Sequence, residues 1–357
     1  MRVLMLSQDL KIFDDGPVAA RMASYGAIFD ELTIIVLGTG KRREKILALN
    51  VHAIAPGGNT KATGFFVGWR ELFRCIAASA YDVVSAQDPF FLGVLGLIAA
   101  WRVRVPLQVQ LHTDCFSKEF IRGHPRRVLE SFLARFVFAH ASCVRVVSTR
   151  IEKSVRQITR APVSILPVFT SLRAPARTER ASDGALHLVV VSRLTKEKRV
   201  HLIIEAMQSV PEAHLTIVGD GPLRGALEAL AKRLNVGDRV VYAGWQDPAS
   251  YYATADAFVQ ASRYEGYGMT LIEAAEAALP IVTTDVGIVG EVLRDGQEAL
   301  VVSGTPASFA EAFRRLIAEP GLRERLGQSA RAHAAEHSLS GEQYLAAYRA
   351  ALMTCLS

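Results

Sequence analysis

The feature that most constrains this chain is an alternation of short, almost uninterrupted apolar runs with helix-length segments, which stops midway and then restarts. In the first half the runs are RVLMLS (2–7), LTIIVLG (32–38), DVVSAQ (82–87), PLQVQLH (106–112) and CVRVVS (143–148). Apolar residues at nearly every position mark strands buried on both faces, as in parallel sheets covered by helices. The stretches between them, such as 18–29 and 90–101, have helical length, so the pattern predicts a doubly wound α/β domain. Residues 169–184, FTSLRAPARTERASDG, carry Pro175, several small residues and no apolar period and read as a linker. The alternation then resumes with HLVVVS (187–192), HLTIVGD (214–220), VVYAG (240–244), AFVQAS (257–262), LPIVTTD (279–285) and ALVVS (299–303). A second doubly wound domain follows, and a length of 357 residues suits two cores better than one. The expected division is 1–168, a linker at 169–185, a second domain at 186–338, and a C-terminal helix within 339–357 that packs back on the first domain.

Charge is divided unevenly. Residues 1–180 hold 25 Lys+Arg and 14 Asp+Glu, a balance of +11, and the remainder is −5, which together give the overall +6. A basic front half points to an anionic partner. Two of its segments, 61–75 and 115–136, interleave Phe65, Phe66, Trp69, Phe73, Phe116 and Phe120 with Lys61, Arg70, Arg74, Arg122, Arg126 and Arg127. Such a mixture suits an anionic membrane surface, or else a core edge with a solvated basic rim. No nucleic-acid-binding module is recognisable. Cys75, Cys115, Cys143 and Cys355 are scattered without a CxxC pair, so the expectation is neither disulfide framework nor zinc site, and a reducing compartment. After Arg2 only four apolar residues follow, too few for a signal peptide, and the longest apolar run, 89–101, falls short of a membrane span of about 20 residues. The expected location is cytoplasmic, with a peripheral place on the cytoplasmic face of the membrane as an extension of it.

The densest cluster of unusual residues is SRYEGYGMTLIEAAEAALPIVTTD, 262–285. A strand ends there and a helix opens near Met269 or Thr270. Ligands of open α/β sheets bind at the carboxyl ends of strands, and a helix N-terminus placed there offers free N–H groups to a phosphate. Gly266 and Gly268 let the backbone come close. Glu265 and Glu273 flank the turn, where carboxylates can accept hydrogen bonds from vicinal hydroxyls or simply be surface acids. Arg193 and Lys198 lie on the loop after the first strand of the same domain, placed to neutralise a diphosphate or to stand as a solvated pair. VGDGPLRGAL (218–227) departs from the dinucleotide fingerprint, since it is GxGxxxG, contains Pro222 and follows the domain's second strand.

Taken in order, SRLxxxK, VGDGPL, YAGW and EGYGMTLIEAAEAALPIV closely resemble the retaining GT-B glycosyltransferases of the large glycosyltransferase family 4 (group 1) type, most strongly over residues 186–303. The resemblance implies two Rossmann-like domains clamping a nucleotide-sugar donor between them. It implies that Arg193 and Lys198 bind the diphosphate, Glu273 the ribose, and Glu265 the donor sugar. The backbone of Gly266, Tyr267, Gly268, Met269, Thr270 and Leu271 would cradle the phosphate and sugar, and loops at Gly219 and Gly244 the base. Trp245 would pack near the base or be structural. In the first domain Gly16 matches the family's glycine loop, with Pro17 in place of a second glycine. His112, at a strand end, matches the family's mid-domain histidine, with Asp114 to orient it or the acceptor. Near 285–290 Gly287 is present and Ile288 replaces a second glycine.

The activity implied is transfer of a sugar, with retention, from a UDP- or GDP-sugar to a glycan or lipid-linked hydroxyl. No DxD-type metal motif is needed, so no obligatory metal or cofactor is expected. Competing readings are a nucleotide-sugar epimerase or phosphorylase, and a catalytically silent nucleotide-sugar-binding subunit suggested by the altered glycine loops.

Overall fold

A computed structural model describes residues 1–122, 125–169 and 184–356, without the side chains of Lys61 and Ala62. Most of the expected linker, 170–183, lies outside the described residues. The chain divides into two units: Met1–Phe169 with Leu339–Ser357, and Thr170–Ser338.

In the first unit the order is β1 (Arg2–Ser7), α1 (Pro17–Ser24), β2 (Glu31–Val36), β3 (Arg43–Ala48), β4 (Val51–Ala55), α2 (Lys61–Ala78), β5 (Val83–Ala86), α3 (Phe91–Val103), β6 (Leu107–Leu111), α4 (Lys118–Ile121), α5 (Pro125–His140), β7 (Cys143–Val146), α6 (Thr149–Arg156) and β8 (Val163–Ile165). These strands form one sheet in the order β3-β4-β2-β1-β5-β6-β7-β8, parallel except where β3 runs against β4. The apolar runs became the central strands. The edge strands β3, β4 and β8 went unread because their sequences do not look buried. β3 is the charged REKILA, β4 alternates exposed and buried positions, and β8 has three residues. Charged, short edges are how sheets avoid pairing with other chains.

The second unit runs β9 (Leu186–Val191), α7 (Val200–Ala206), β10 (Ala213–Val218), α8 (Arg224–Arg233), β11 (Val240–Gly244), α9 (Ala249–Thr254), β12 (Ala257–Gln260), α10 (Met269–Glu276), β13 (Ile281–Thr284), β14 (Ala299–Val302), α11 (Pro306–Ala318) and α12 (Pro320–His337). Its sheet, all parallel, is ordered β11-β10-β9-β12-β13-β14. The direction of winding reverses between β9 and β12, and a crevice opens beyond the carboxyl ends of strands at such a point. Leu188, Val190, Leu215, Ile217 and Val259 from the sheet pack with Ile203, Phe309 and Phe313 from the helices in one buried cluster.

The last helix, α13 (Gly341–Met353), belongs to the first unit. Ser340 starts it with a capping box shared with Gln343, which satisfies two otherwise orphan N–H groups. Tyr344, Tyr348 and Leu352 enter the cluster formed by Val3, Met5, Leu32 and Ile34, and Tyr348 stacks on Tyr25 at 4.6 Å. Beneath these rings Arg145 is buried, and among the described residues no carboxylate accepts a hydrogen bond from it. Its guanidinium donates to Gln110 Oε1 (2.9 Å), the Leu166 and Pro167 carbonyls and Tyr344 Oη (3.0 Å). Contrary to the expectation of unpaired cysteines, one bridge is present. Cys143 on β7 and Cys355 just past α13 form a disulfide, with Cα atoms 4.9 Å apart across 212 residues of sequence. Sequence spacing gave no sign of it because only the docking of α13 brings the two together.

Candidate functional site

In the second unit the loops after β9 and β12, the two strands at the winding reversal, meet. Lys198 Nζ donates to Glu265 Oε1, and both side chains are mostly buried, at 16% and 15% exposure. The same oxygen accepts from Ser262 Oγ (2.7 Å) and Gln260 Nε2 (3.2 Å). Among the described residues no hydrogen bond reaches Oε2. One oxygen is therefore anchored by three donors while the other keeps its acceptor capacity for a ligand. Gln260 Oε1 in turn accepts from Thr270 Oγ1 (3.0 Å), which ties this carboxylate to the first turn of α10.

Gly268 caps α10 with φ +92° and has no side chain to bond the first turn. Leu271 N–H turns back to the Gly268 carbonyl (2.9 Å), which leaves the Met269 and Thr270 N–H groups to face an acceptor at the positive end of the helix dipole. Glycine is required next door as well. Gly287 has φ +57°, and a Cβ there would sit 2.2 Å from the Tyr267 carbonyl oxygen. Ile288 N–H donates to that same oxygen at 3.0 Å, and the Ile288 side chain is fully buried. The loop accommodates Ile288 because the demanding conformation falls on the preceding residue. Tyr267 is buried, and burial pushes its phenol up to about 12, so it stays neutral.

Glu273 forms a second centre one turn into α10. Its Oε2 accepts from Tyr252 Oη at 2.9 Å, and burial raises its pKa, with Asp247 adding to the effect. Arg193 stands apart: its side chain is 65% exposed and lies 3.7 Å from Glu197. Gly219 (φ +131°) donates through its N–H to the Gly244 carbonyl (2.7 Å), and a Cβ on it would fall 2.0 Å from the Ser192 carbonyl oxygen. The loops of β9, β10 and β11 thus approach backbone to backbone, which only glycine permits at this point. Trp245, beside them, is 66% exposed and is no core aromatic.

Several contributors escaped sequence reasoning. Ser262, Gln260 and Tyr252 position the two carboxylates, and Arg199 staples the β12 loop by donating to the Ala261 (2.7 Å) and Ser262 (3.1 Å) carbonyls. A polar Gln ending an apolar strand was the available clue for Gln260; Tyr252 and Arg199 offered none.

In the first unit Gly16 caps α1 with extended backbone (φ −164°), and Pro17 takes the first helical position, where proline's missing N–H costs nothing. The replacement of a second glycine is therefore accommodated. His112 follows β6 and keeps solvent access, yet desolvation by the surrounding chain, with the Arg145 and Arg21 cations, pulls its pKa down to about 3. The ring is therefore held neutral. Asp114 is committed elsewhere, since its oxygens accept from Phe116 N–H (3.0 Å) and Ser154 Oγ (2.9 Å).

Two parallel-sheet α/β domains in tandem, the second with a carboxylate and a lysine paired at its winding reversal, define a GT-B architecture. Solved structures agree on the fold. A sucrose-phosphate synthase from Thermosynechococcus elongatus superposes with a TM-score of 0.79 at 19% identity, covering 100% of this chain and 99% of that one. Anabaena HepE in complex with UDP and glucose gives 0.79 at 18%, with complete coverage of both. Residues 176–333 match the glycosyl transferases group 1 family and residues 18–168 the glycosyl transferase 4-like domain. A glycogen synthase from Mycobacterium tuberculosis is 32% identical over 300 residues, 80% of this chain and 69% of that protein. The lipopolysaccharide core biosynthesis glycosyltransferase LpsE of Rhizobium meliloti is 27% identical over 239 residues, 65% of this chain and 68% of its own. The chain belongs to the group 1, GT4-type glycosyltransferases.

Proposed function

We propose that this glycosyltransferase is a retaining, metal-independent enzyme that moves a sugar from a UDP- or GDP-sugar to a hydroxyl of a glycan or lipid-linked acceptor, in cell-envelope or exopolysaccharide synthesis. The observation that carries the reading is Glu265, held on one oxygen by Lys198, Ser262 and Gln260 and free on the other. In this reading Oε2 accepts from hydroxyls of the donor sugar. Lys198, Arg193 and the N–H groups opening α10 face the diphosphate, where negative charge grows as the glycosidic bond breaks. Donors fixed in advance at such a position lower the barrier most. Glu273 takes the ribose hydroxyls, the Gly219–Gly244 loops and Trp245 the base. A neutral His112 serves the sugar as a hydrogen-bonding partner, not as a cation. HepE, solved with UDP and with UDP-glucose, favours a uridine donor, and the lipopolysaccharide relatives favour an envelope glycan.

The first unit supports a lipid-linked acceptor and an anionic membrane surface. Its α2, α3 and α5 expose Phe66 (70%), Trp101 (59%), Leu129 (59%) and Phe132 (69%). Arg102, Arg122, Arg126 and Arg135 accompany them in sequence. Near the carboxyl ends of β1 and β2 a cavity of about 700 Å³ is lined by Leu10, Leu37, Phe65, Phe66, Phe91 and Arg126. Of the aromatic segments read from sequence, Phe120 is buried and Phe65, Trp69 and Phe73 pack on one another, so Phe66 and the α5 row carry the proposal.

The test is a panel of UDP- and GDP-sugars, read by thermal shift and donor hydrolysis, with Glu273→Ala, Arg193→Ala and Glu265→Gln. One donor should stabilise the wild type and be slowly hydrolysed, with both effects lost in the variants. Binding without turnover for any donor and acceptor would favour the silent subunit. Sedimentation with phosphatidylglycerol vesicles but not phosphatidylcholine, weakened by salt and by Phe132→Glu, tests the membrane surface; equal sedimentation with both lipids would count against it.

A further inference from the structure

Apart from the centre around Glu265, one group of metal-ligating side chains stands out among the described residues. His333, Glu336 and His337 close the last turns of α12, with one donor atom from each lying within 4.8 Å of the others. Positions i, i+3 and i+4 share a helix face.

Both imidazoles are held through Nδ1. His333 Nδ1 lies 2.8 Å from the Val292 carbonyl oxygen and His337 Nδ1 2.9 Å from the His333 carbonyl oxygen. A carbonyl can only accept, so each Nδ1 carries a proton, and in the neutral ring that leaves the Nε2 lone pair for a metal. That is the tautomer of a metal-binding histidine, whose other nitrogen characteristically donates to a carbonyl or carboxylate. A carboxylate is present too. Glu298, its side chain 2% exposed, has Oε1 3.8 Å from His333 Nδ1. Arg294 fixes that carboxylate through Nε (3.1 Å), Nη2 (2.7 Å) and its backbone N–H (2.9 Å). The support behind His333 is therefore buried and rigid, while Glu336 and His337 are exposed to incoming ions.

We propose that His333, Glu336 and His337 form a binding site for a divalent transition-metal cation of the Zn²⁺ class. Two imidazole nitrogens and one carboxylate suit such an ion, whereas Mg²⁺ requires an oxygen shell. The ion bridges successive turns at the point where α12 ends, one residue before the second unit gives way to Leu339. It adds a cross-link to the last turn of α12, and binding to the folded chain alone raises its stability by mass action. The site is independent of the glycosyl-transfer reading.

The test uses the untagged full chain, stripped with chelator and titrated calorimetrically with ZnCl₂, with MgCl₂ in a parallel titration. Wild type should bind one Zn²⁺ and no Mg²⁺, and Zn²⁺ should raise its Tm. His337→Ala and Glu336→Gln, both folded by circular dichroism, should weaken binding by roughly tenfold or more, because even outer partners of a metal site contribute that much. The Tm response should disappear in His337→Ala. Absence of stoichiometric Zn²⁺ binding in the wild type, or undiminished affinity in either variant, overturns the proposal.

Discussion

Replacing Lys198 by Met separates what the Lys198–Glu265 pair does for folding from what it does for chemistry. The variant leaves the Glu265 carboxylate in its mostly buried place with two neutral donors, Ser262 Oγ and Gln260 Nε2, and no cation. A hydrogen bond to a charged group contributes about 1.5–3 kcal/mol, and the remaining donors keep the loss toward the lower end. Removing the charge as well, in Lys198→Met/Glu265→Gln, relieves the unpaired carboxylate. Breaking a buried pair costs more than replacing both members. The double variant should therefore recover most of the stability, with a coupling energy of about 1 kcal/mol or more. Native-state hydrogen exchange of the β9 and β12 amides reads the unfolding of this unit alone. Lys198→Met should speed it roughly 10- to 100-fold and the double variant much less. Transfer activity should be absent in both. Additivity of the two single variants within about 0.5 kcal/mol, or full activity in the stable double variant, would refute the reasoning.

Gly287→Ala must place a Cβ against the Tyr267 carbonyl at positive φ, and should cost about 2 kcal/mol or more by urea titration, whereas Gly16→Ala, with open space around it, should lose only the better N-cap, about 1 kcal/mol or less. Glu273 is held above its ordinary pKa by burial, so ionising it opposes folding. Its protonated form is favoured in the native state, and that contribution is lost as pH rises from the ordinary carboxyl range through the raised value. Glu273→Gln should accordingly stabilise the protein at pH 7, with the gain shrinking as pH falls to about 4, while nucleotide-sugar binding is lost; a destabilised Glu273→Gln at neutral pH would contradict this. Arg145→Met leaves Gln110 Oε1 and two carbonyls without their donor and should cost about 3 kcal/mol or more, with faster exchange in α13 once the Cys143–Cys355 disulfide is reduced.

The winding of both domains was legible in the chain itself, because strands covered on both faces must be apolar at nearly every position and such runs stand out. The loop 262–268 was legible for a related reason: a glycine opening a helix just past a strand has few other uses. Sequence also singled out Glu265, Lys198 and Glu273 as candidates, but it could not say which oxygen of Glu265 is occupied or that Arg193 turns toward Glu197. Those outcomes depend on Ser262, Gln260 and Tyr252, residues too ordinary in type to announce a role. Charged β3 and three-residue β8 were invisible because an edge strand is not required to be apolar. The disulfide and the buried Arg145 depend on α13 rejoining the first unit, although the whole second unit precedes it in the chain. A contact between positions 143 and 355 leaves no local trace, since hydrophobic period and turn chemistry report only on neighbours along the chain. Local chemistry thus determined the elements and the kind of site, and tertiary docking alone decided which side chains hold that site in place.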